Sequence, residues 1–344
     1  MQQQGTWLSL FLSKRKNPLQ GYLYALKNRA EMRKPLTGIP LCPENQGGNE
    51  ETMNKNSSRL LAEARKSVFI LPSMALLLVF FVMPILLTVY YSFTNLALSG
   101  ENAKQLKFIG FSNYISMFKD RTVRISIVNT LVFLLGSLMG QQVLGFLIAL
   151  NMRNRNRIFR GIVGPVFLAG WIMPEVVVAL CCSTFFGDEG TLNQIFSFFH
   201  LPTVEFLFAI PMATVILANI WHGTAFSMMN FQSALDGVPA DIEEAAKVDG
   251  AGPFQTMIRI ILPCIKNTIA TNTMLNTLST LGVFGLIYMM TGGGPGTKTL
   301  PLPIFMYRQA FISQQLGYGT AISMILLVIG IVLSVFYTRV MRKD

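Results

Sequence analysis

The chain has 344 residues, of which 51% are apolar and only 13% charged, about half the roughly 25% charged share of soluble domains. With a mean hydropathy of +0.47, 26 Phe and 19 Met, the composition excludes an ordinary soluble domain and a disordered chain. The net charge of +11 suits nucleic acid, a membrane surface or positive-inside topology, and the placement of the charges decides between them.

Residues 1–66 are polar and basic, with Lys14, Arg15, Lys16, Lys27, Arg29, Arg33 and Lys34. The apolar run from Trp7 to Leu12 is too short for a secretion signal. The segment reads as a mobile cytoplasmic tail, with lipid headgroups as a second reading and Met53 as an alternative start.

Beyond Lys66 the ionisable residues leave six long gaps. They run from Lys66 to Glu101, Arg124 to Arg153, Arg160 to Asp188 (interrupted by Glu175), Glu205 to Asp236, Lys266 to Lys298 and Arg308 to Arg339. Each holds the roughly 20 apolar residues that a helix needs to cross the hydrocarbon layer. The predicted spans are 68–92, 127–150, 161–185, 208–231, 268–291 and 319–338, within a domain at 67–344. Helices are required because lipid offers the backbone no hydrogen-bond partners, and the alternation of a membrane barrel is absent. The fold class is an all-α integral membrane protein.

Arg153, Arg155, Arg157 and Arg160 follow span two with no acid among them. Arg339, Arg342 and Lys343 follow span six, and Arg59, Arg65 and Lys66 precede span one. With six spans these clusters share one side, which the positive-inside rule makes cytoplasmic, with both termini inside. The first outer loop dissents, carrying Lys104, Lys107, Lys119, Arg121 and Arg124. Cys42, Cys181, Cys182 and Cys264, with His200 and His222, show no metal-ligand spacing, so neither metal nor cofactor is expected.

The segment between spans four and five, residues 236–266, reads as two short helices. Pro239 suits a helix start, Asp241, Glu243 and Glu244 suit its first turn, and Gly250 suits a left-handed stop. Pro253 restarts the chain. The surface offered is small and acidic, which allows close approach by a partner bearing Arg or Lys.

Within that segment, Glu244-Ala245-Ala246-x-x-Asp249-Gly250-Ala251, followed by Ile260-x-Leu262-Pro263, is similar to the EAA motif of ABC-importer membrane subunits. Met257 stands where that motif usually has Phe, and is a flexible apolar substitute. Asn219-Ile-Trp221-His-Gly223-Thr-Ala-Phe226 and Thr291-Gly-Gly-Gly-Pro295-Gly extend the resemblance over most of residues 67–342. They resemble the maltose-type, carbohydrate-importer permease that carries the solute site. The resemblance implies six transmembrane helices in the type I importer permease fold, in a bacterial plasma (inner) membrane. It implies that Glu243, Glu244, Ala245, Ala246, Asp249, Gly250, Ala251, Met257, Leu262 and Pro263 form a coupling element seated on a separate ATPase. It also implies a second permease as heterodimer partner, two cytoplasmic ATP-binding subunits and an extracellular or periplasmic solute-binding protein.

Asn219, His222, Gly223 and Phe226 share one face of span four, and Asn276 and Thr280 lie four apart on span five. Amides, hydroxyls and an aromatic surface suit a sugar; the other reading is bonding between helices. The resemblance carries solute contact onto these six positions, more loosely on span five. Glu175, a lone acid in span three, is a functional candidate by default or reaches water or a partner helix. Gln141 and Gln142 read as interhelical, and Gly136 and Gly140 as a close-packing pair.

Gly292 to Thr299 looks like a phosphate loop, but Thr297 rather than Gly precedes Lys298, and the spacing fails. It reads as a turn, so the chain is not expected to hydrolyse ATP itself. An ion-coupled secondary transporter is the alternative reading; it expects internal repeats and buried ion sites. A membrane enzyme needs an ionisable cluster, and the acidic loop already has a role. Oligosaccharide, monosaccharide, polyol and glycerol phosphate all fit as solute.

Overall fold

Apolar runs fold here as helices, and apart from an isolated bridge between Thr94 and Phe108 the described residues contain no β-pairing. The computed structural model describes residues 71–342 except Asn154; the tail at 1–66 lies outside them. Helix α1, Leu71–Ser92, exposes every residue from 71 to 87. Its Leu78–Val82 turn widens to π geometry ahead of Pro84. Proline lacks the N–H and crowds the carbonyl one turn back, and the wider turn relieves both.

Helix α2, Ser112–Lys119, leads into α3, Arg121–Arg153. Asp120 caps α3, its Oδ1 accepting the Thr122 N–H at 2.7 Å. At 33 residues, α3 is about 50 Å long and outreaches the roughly 30 Å hydrocarbon layer. Its basic residues, Arg121, Arg124 and Arg153, sit at its ends.

The third span departs from expectation. In place of one helix at 161–185 there are two, α4 at Arg157–Ile172 and α5 at Glu175–Phe186, with the chain bent by 101° between them. Met173 adopts φ −59°, ψ 134°, the extended geometry that a following proline imposes. Helix α6, Thr191–Phe198, follows, its loop held by buried Asn193 against Val204. Helix α7, Pro211–Asp236, is the central element. Helix α8 is Ala240–Val248, and α9 covers residues 253–264.

Span five is also broken: α10, Lys266–Leu281, and α11, Gly285–Thr291, meet at 48°. The N–H groups of Gly282 and Val283 turn back to Ser279 and Thr280 at 3.1 and 3.2 Å, closing α10 with a tight last turn. Helix α12, Leu302–Tyr307, and α13, Leu316–Arg342, complete the chain.

Packing centres on α3 and α7. A Cβ added at Gly136 or Gly140 would meet Ile216 or Ile220, at 3.0 and 2.2 Å, and one at Gly145 would reach the Met228 backbone N at 2.9 Å. These glycines let two helices touch almost backbone to backbone. One apolar core gathers Phe133, Val178, Val215, Leu286, Ile304 and Ile322. A second gathers Met152, Met228, Phe231, Leu235, Ile261 and Ile265 beneath α8 and α9.

Among the described residues, Leu71–Ser92, Arg121–Arg153 and Leu316–Arg339 are long and apolar enough to cross a membrane, and the two bent pairs raise this to as many as five. A sixth crossing rests on α7. Its 26 residues are long enough, but Asn219, His222, Asn230 and Gln232 lower its hydropathy. Such a helix is stable in lipid when neighbours cover its polar face, and one face of α7, with Asn219, Thr224 and Ser227, is buried along its length while Leu217 and Trp221 are exposed.

Candidate functional site

The loop between α7 and α10 is an ordered tab. Pro239 precedes α8, and Asp241 and Glu243 occupy its first turn with Lys247 in its last, charges placed as the helix dipole prefers. Gly250 takes φ +78°, which only glycine adopts cheaply. Its N–H bonds Lys247 O, and the Ala251 N–H bonds Ala246 O, at 3.1 and 2.9 Å. At the start of α9 the Gly252 N–H donates to Gln255 Oε1, and the Thr256 hydroxyl donates to Gly252 O. A second π turn, Met257–Ile261, precedes Pro263, as at Pro84.

The tab has two faces. Ala246 and Ile261 are buried, with Met257 and Leu262 packed against the same core. Glu244, Ala245, Asp249, Gly250 and Pro263 are exposed, together with Val248 and Phe254 at 87% and 76%. One ion pair braces it to the bundle, and a second joins α4 to α7 at its root. Arg153 Nη1 meets Glu243 Oε1 at 2.5 Å, both partly shielded from solvent, and Arg160 pairs with Asp236 at the end of α7. The arginines therefore do more than mark a membrane side. Sequence reasoning missed these braces; the excess of Arg facing an acidic segment was the available signal.

The six solute candidates separate. Asn219, Asn276 and Thr280 are buried, while His222, Gly223 and Phe226 are half-buried. Gln141 Nε2 donates to the Asn219 main-chain O at 2.9 Å, and Asn276 Nδ2 donates to Ser227 Oγ at 2.7 Å, so bonding between helices accounts for the Asn276 side chain. The Asn219 side-chain N–H2 group has no hydrogen-bond partner among the described residues. Phe226 stacks on Trp171 with centroids 5.6 Å apart, an aromatic partner that the sequence did not single out. His222 Nε2 lies 3.2 Å from Met173 O, the carbonyl left open at the α4–α5 break.

The two broken spans meet. Glu175 opens α5, and Gly285 opens α11; a Cβ on Gly285 would come within 2.9 Å of Glu175 Oε2. Gln142 does join helices, accepting from Asn272, which in turn accepts from Asn230. The glycine-rich run is a closed turn. The Arg308 guanidinium donates to Gly292 O at 2.6 Å, Thr299 bonds Gly294 O at 2.6 Å, and Lys298 lies 5.8 Å over the Phe208 ring. Its backbone and lysine are engaged within the chain.

The profile of the family described as "Binding-protein-dependent transport system inner membrane component" matches residues 141–343. The chain is 31% identical to the sulfoquinovosyl glycerol transport system permease protein of Agrobacterium fabrum, over 79% of this chain and 89% of that one. It is 32% identical to the multiple sugar-binding transport system permease protein of Streptococcus mutans, over 80% and 94%. A chain of a crystallised bacterial ABC transporter involved in the import of the acidic polysaccharide alginate shares the fold. Its TM-score is 0.72 at 24% identity, over 84% of this chain and 99% of that one. The family match covers more than half of the chain, and the permease relatives agree with it along nearly their whole length. The chain belongs to the family of binding-protein-dependent transport system inner membrane components.

Proposed function

We propose that this permease forms half of the translocation pathway for a sugar or related solute, as one of two permeases above two ATP-hydrolysing subunits. An external binding protein delivers the solute. The sugar class is supported by relatives whose names specify sulfoquinovosyl glycerol and multiple sugars. The observation that carries the coupling role is the two-faced tab. Its exposed Glu244, Ala245, Val248 and Asp249 face outward while Arg153 fastens it to α3 and Arg160 of α4 secures the end of α7 from which it leaves. Such a tab works as a lever: an ATPase that grips it moves α7 and α3 together, which suits a bistable transition between packed arrangements.

Glu243, Glu244, Ala245, Ala246, Asp249, Gly250, Ala251, Met257, Leu262 and Pro263 form the coupling element in this reading. His222, Gly223 and Phe226 line the pathway. Asn219, Asn276 and Thr280 stand behind them and reach solute when α7 and α10 part, and the free Asn219 amide supports that. The arginine-bearing side faces the cytoplasm, so α8 meets the ATPase there, and both termini lie inside with six crossings.

Replacing Glu244 with Lys is the decisive test. ATP-driven uptake is expected to be lost while the chain still inserts and co-purifies with its sister permease. Full uptake in the E244K variant overturns the coupling role.

A further inference from the structure

The link between α1 and α3, with the first turn of α3, carries Lys104, Lys107, Lys119, Arg121 and Arg124, all exposed, on the side where the positive-inside rule expects few cations. None forms an ion pair with a described residue. Of the neighbouring acids, Asp120 is engaged by the Thr122 N–H and the Tyr318 hydroxyl. Beside these free cations is an apolar ridge. Phe111, Ile115 and Phe118 share one face of α2 and are 68%, 56% and 76% exposed, and Phe108 is exposed next to them.

The opposite face of α2 is fastened down. Met117 is buried, the Tyr114 and Ser92 hydroxyls are 2.7 Å apart, and Asn113 Nδ2 donates to Ser92 O and Thr94 O, both at 2.9 Å. Phe93 packs on Phe108, Phe111 and Tyr114 with centroids 5.2–6.2 Å apart. The ridge is thus held outward, at the point where Tyr90, Tyr91 and Ser92 end the apolar run of α1.

A protein-binding surface is depleted in Lys at its core. A bilayer boundary favours this mixture instead: aromatic rings at headgroup depth, with Lys and Arg reaching phosphates. We propose that α2 lies in the outer-leaflet boundary, its Phe111–Ile115–Phe118 face among the lipids, with Lys107, Lys119, Arg121 and Arg124 holding the phosphates of anionic phospholipids. Lipid phosphate then neutralises the outer cations, which accounts for the dissent from the positive-inside rule. The leaflet assignment rests on the topology proposed above.

The test uses the assembled importer in nanodiscs of phosphatidylcholine containing phosphatidylglycerol. In a Phe118→Trp variant, lipids brominated near the headgroup are expected to quench the added fluorescence. Changing Lys107, Lys119, Arg121 and Arg124 to Gln is expected to lower the preferential retention of phosphatidylglycerol, roughly fivefold per cation removed. Ser116→Cys, in a chain otherwise free of cysteine, is expected to react with an impermeant maleimide on intact cells. Absent quenching, quenching abolished by the binding protein, or unchanged retention overturns the lipid site. Labelling only after cell lysis overturns the leaflet. ATP-driven uptake measured in the same glutamine variant reports the transport reading separately.

Discussion

Gly223 shows how little space separates α3 from α7. A methyl group there would overlap the Gln141 amide, with Nε2 at 2.2 Å, and that amide donates the bond to Asn219 O. Gly223→Ala is expected to displace Gln141 and destabilise the assembled permease by about 1–3 kcal/mol, read as a lower melting temperature in detergent. Adding Gln141→Ala should recover part of the loss, because the overlap then disappears and the two effects are not additive. Arg153 and Glu243 allow a second residue-level test. Removing Glu243 by Glu243→Ala leaves Arg153 partly shielded and unpaired, at a cost of about 1 kcal/mol, roughly fivefold in the coupled equilibrium. The exchange Arg153→Glu with Glu243→Arg is expected to restore ATP-driven uptake above that of either single change.

Among elements, a chain of amides crosses three helices. Asn230 on α7 donates to Asn272 on α10 at 2.8 Å, and Asn272 donates to Gln142 on α3 at 2.9 Å. Asn272→Leu removes both bonds and leaves two half-buried amides, Asn230 and Gln142, short of partners. The expected cost is about 1–2 kcal/mol, visible as faster thermal inactivation, with Asn272→Gln intermediate. This bridge also marks the limit of what could be read in advance. Glutamines at 141 and 142 in an apolar run announce contacts between helices, but their partners depend on how α3, α7 and α10 are turned. Proline shows the same limit. Pro84, Pro165 and Pro263 are absorbed within helices, two of them behind π turns, whereas Pro174 bends its span by 101°. The difference lies in the surroundings: the carbonyl freed at Met173 finds His222, a residue 49 positions away. The helical form of the tab was legible because its boundary residues, Pro239 and Gly250, are local signals. The Asn276 amide, bonded to Ser227 of α7, was not separable from a pathway group, because a buried amide serves either purpose.

At the scale of the whole molecule, the question is what drives transport. An ion-coupled carrier needs buried charge to hold its ion. Within the described bundle, Glu175 is the acid deepest in a span, and it abuts a glycine rather than a cluster of acids. Among the described residues no group of three or more His, Cys, Asp or Glu is placed to hold a metal ion. What the chain does have is an exposed tab tied to α3 by Arg153 and rooted at the end of α7 that Arg160 pairs with, and a turn at Gly292 whose carbonyls and lysine are engaged within the chain. In the function proposed above, work enters through α8 from another subunit. In proteoliposomes containing the sister permease, the ATPases and the binding protein, uptake is expected to continue when ionophores abolish proton and sodium gradients. It should stop when internal ATP is removed. Uptake that follows an imposed ion gradient without ATP would overturn this account. Loss of uptake in Glu244→Lys with ATP present would place the failure at the lever, because the bundle packing around Gly223 and Asn272 is untouched by that change.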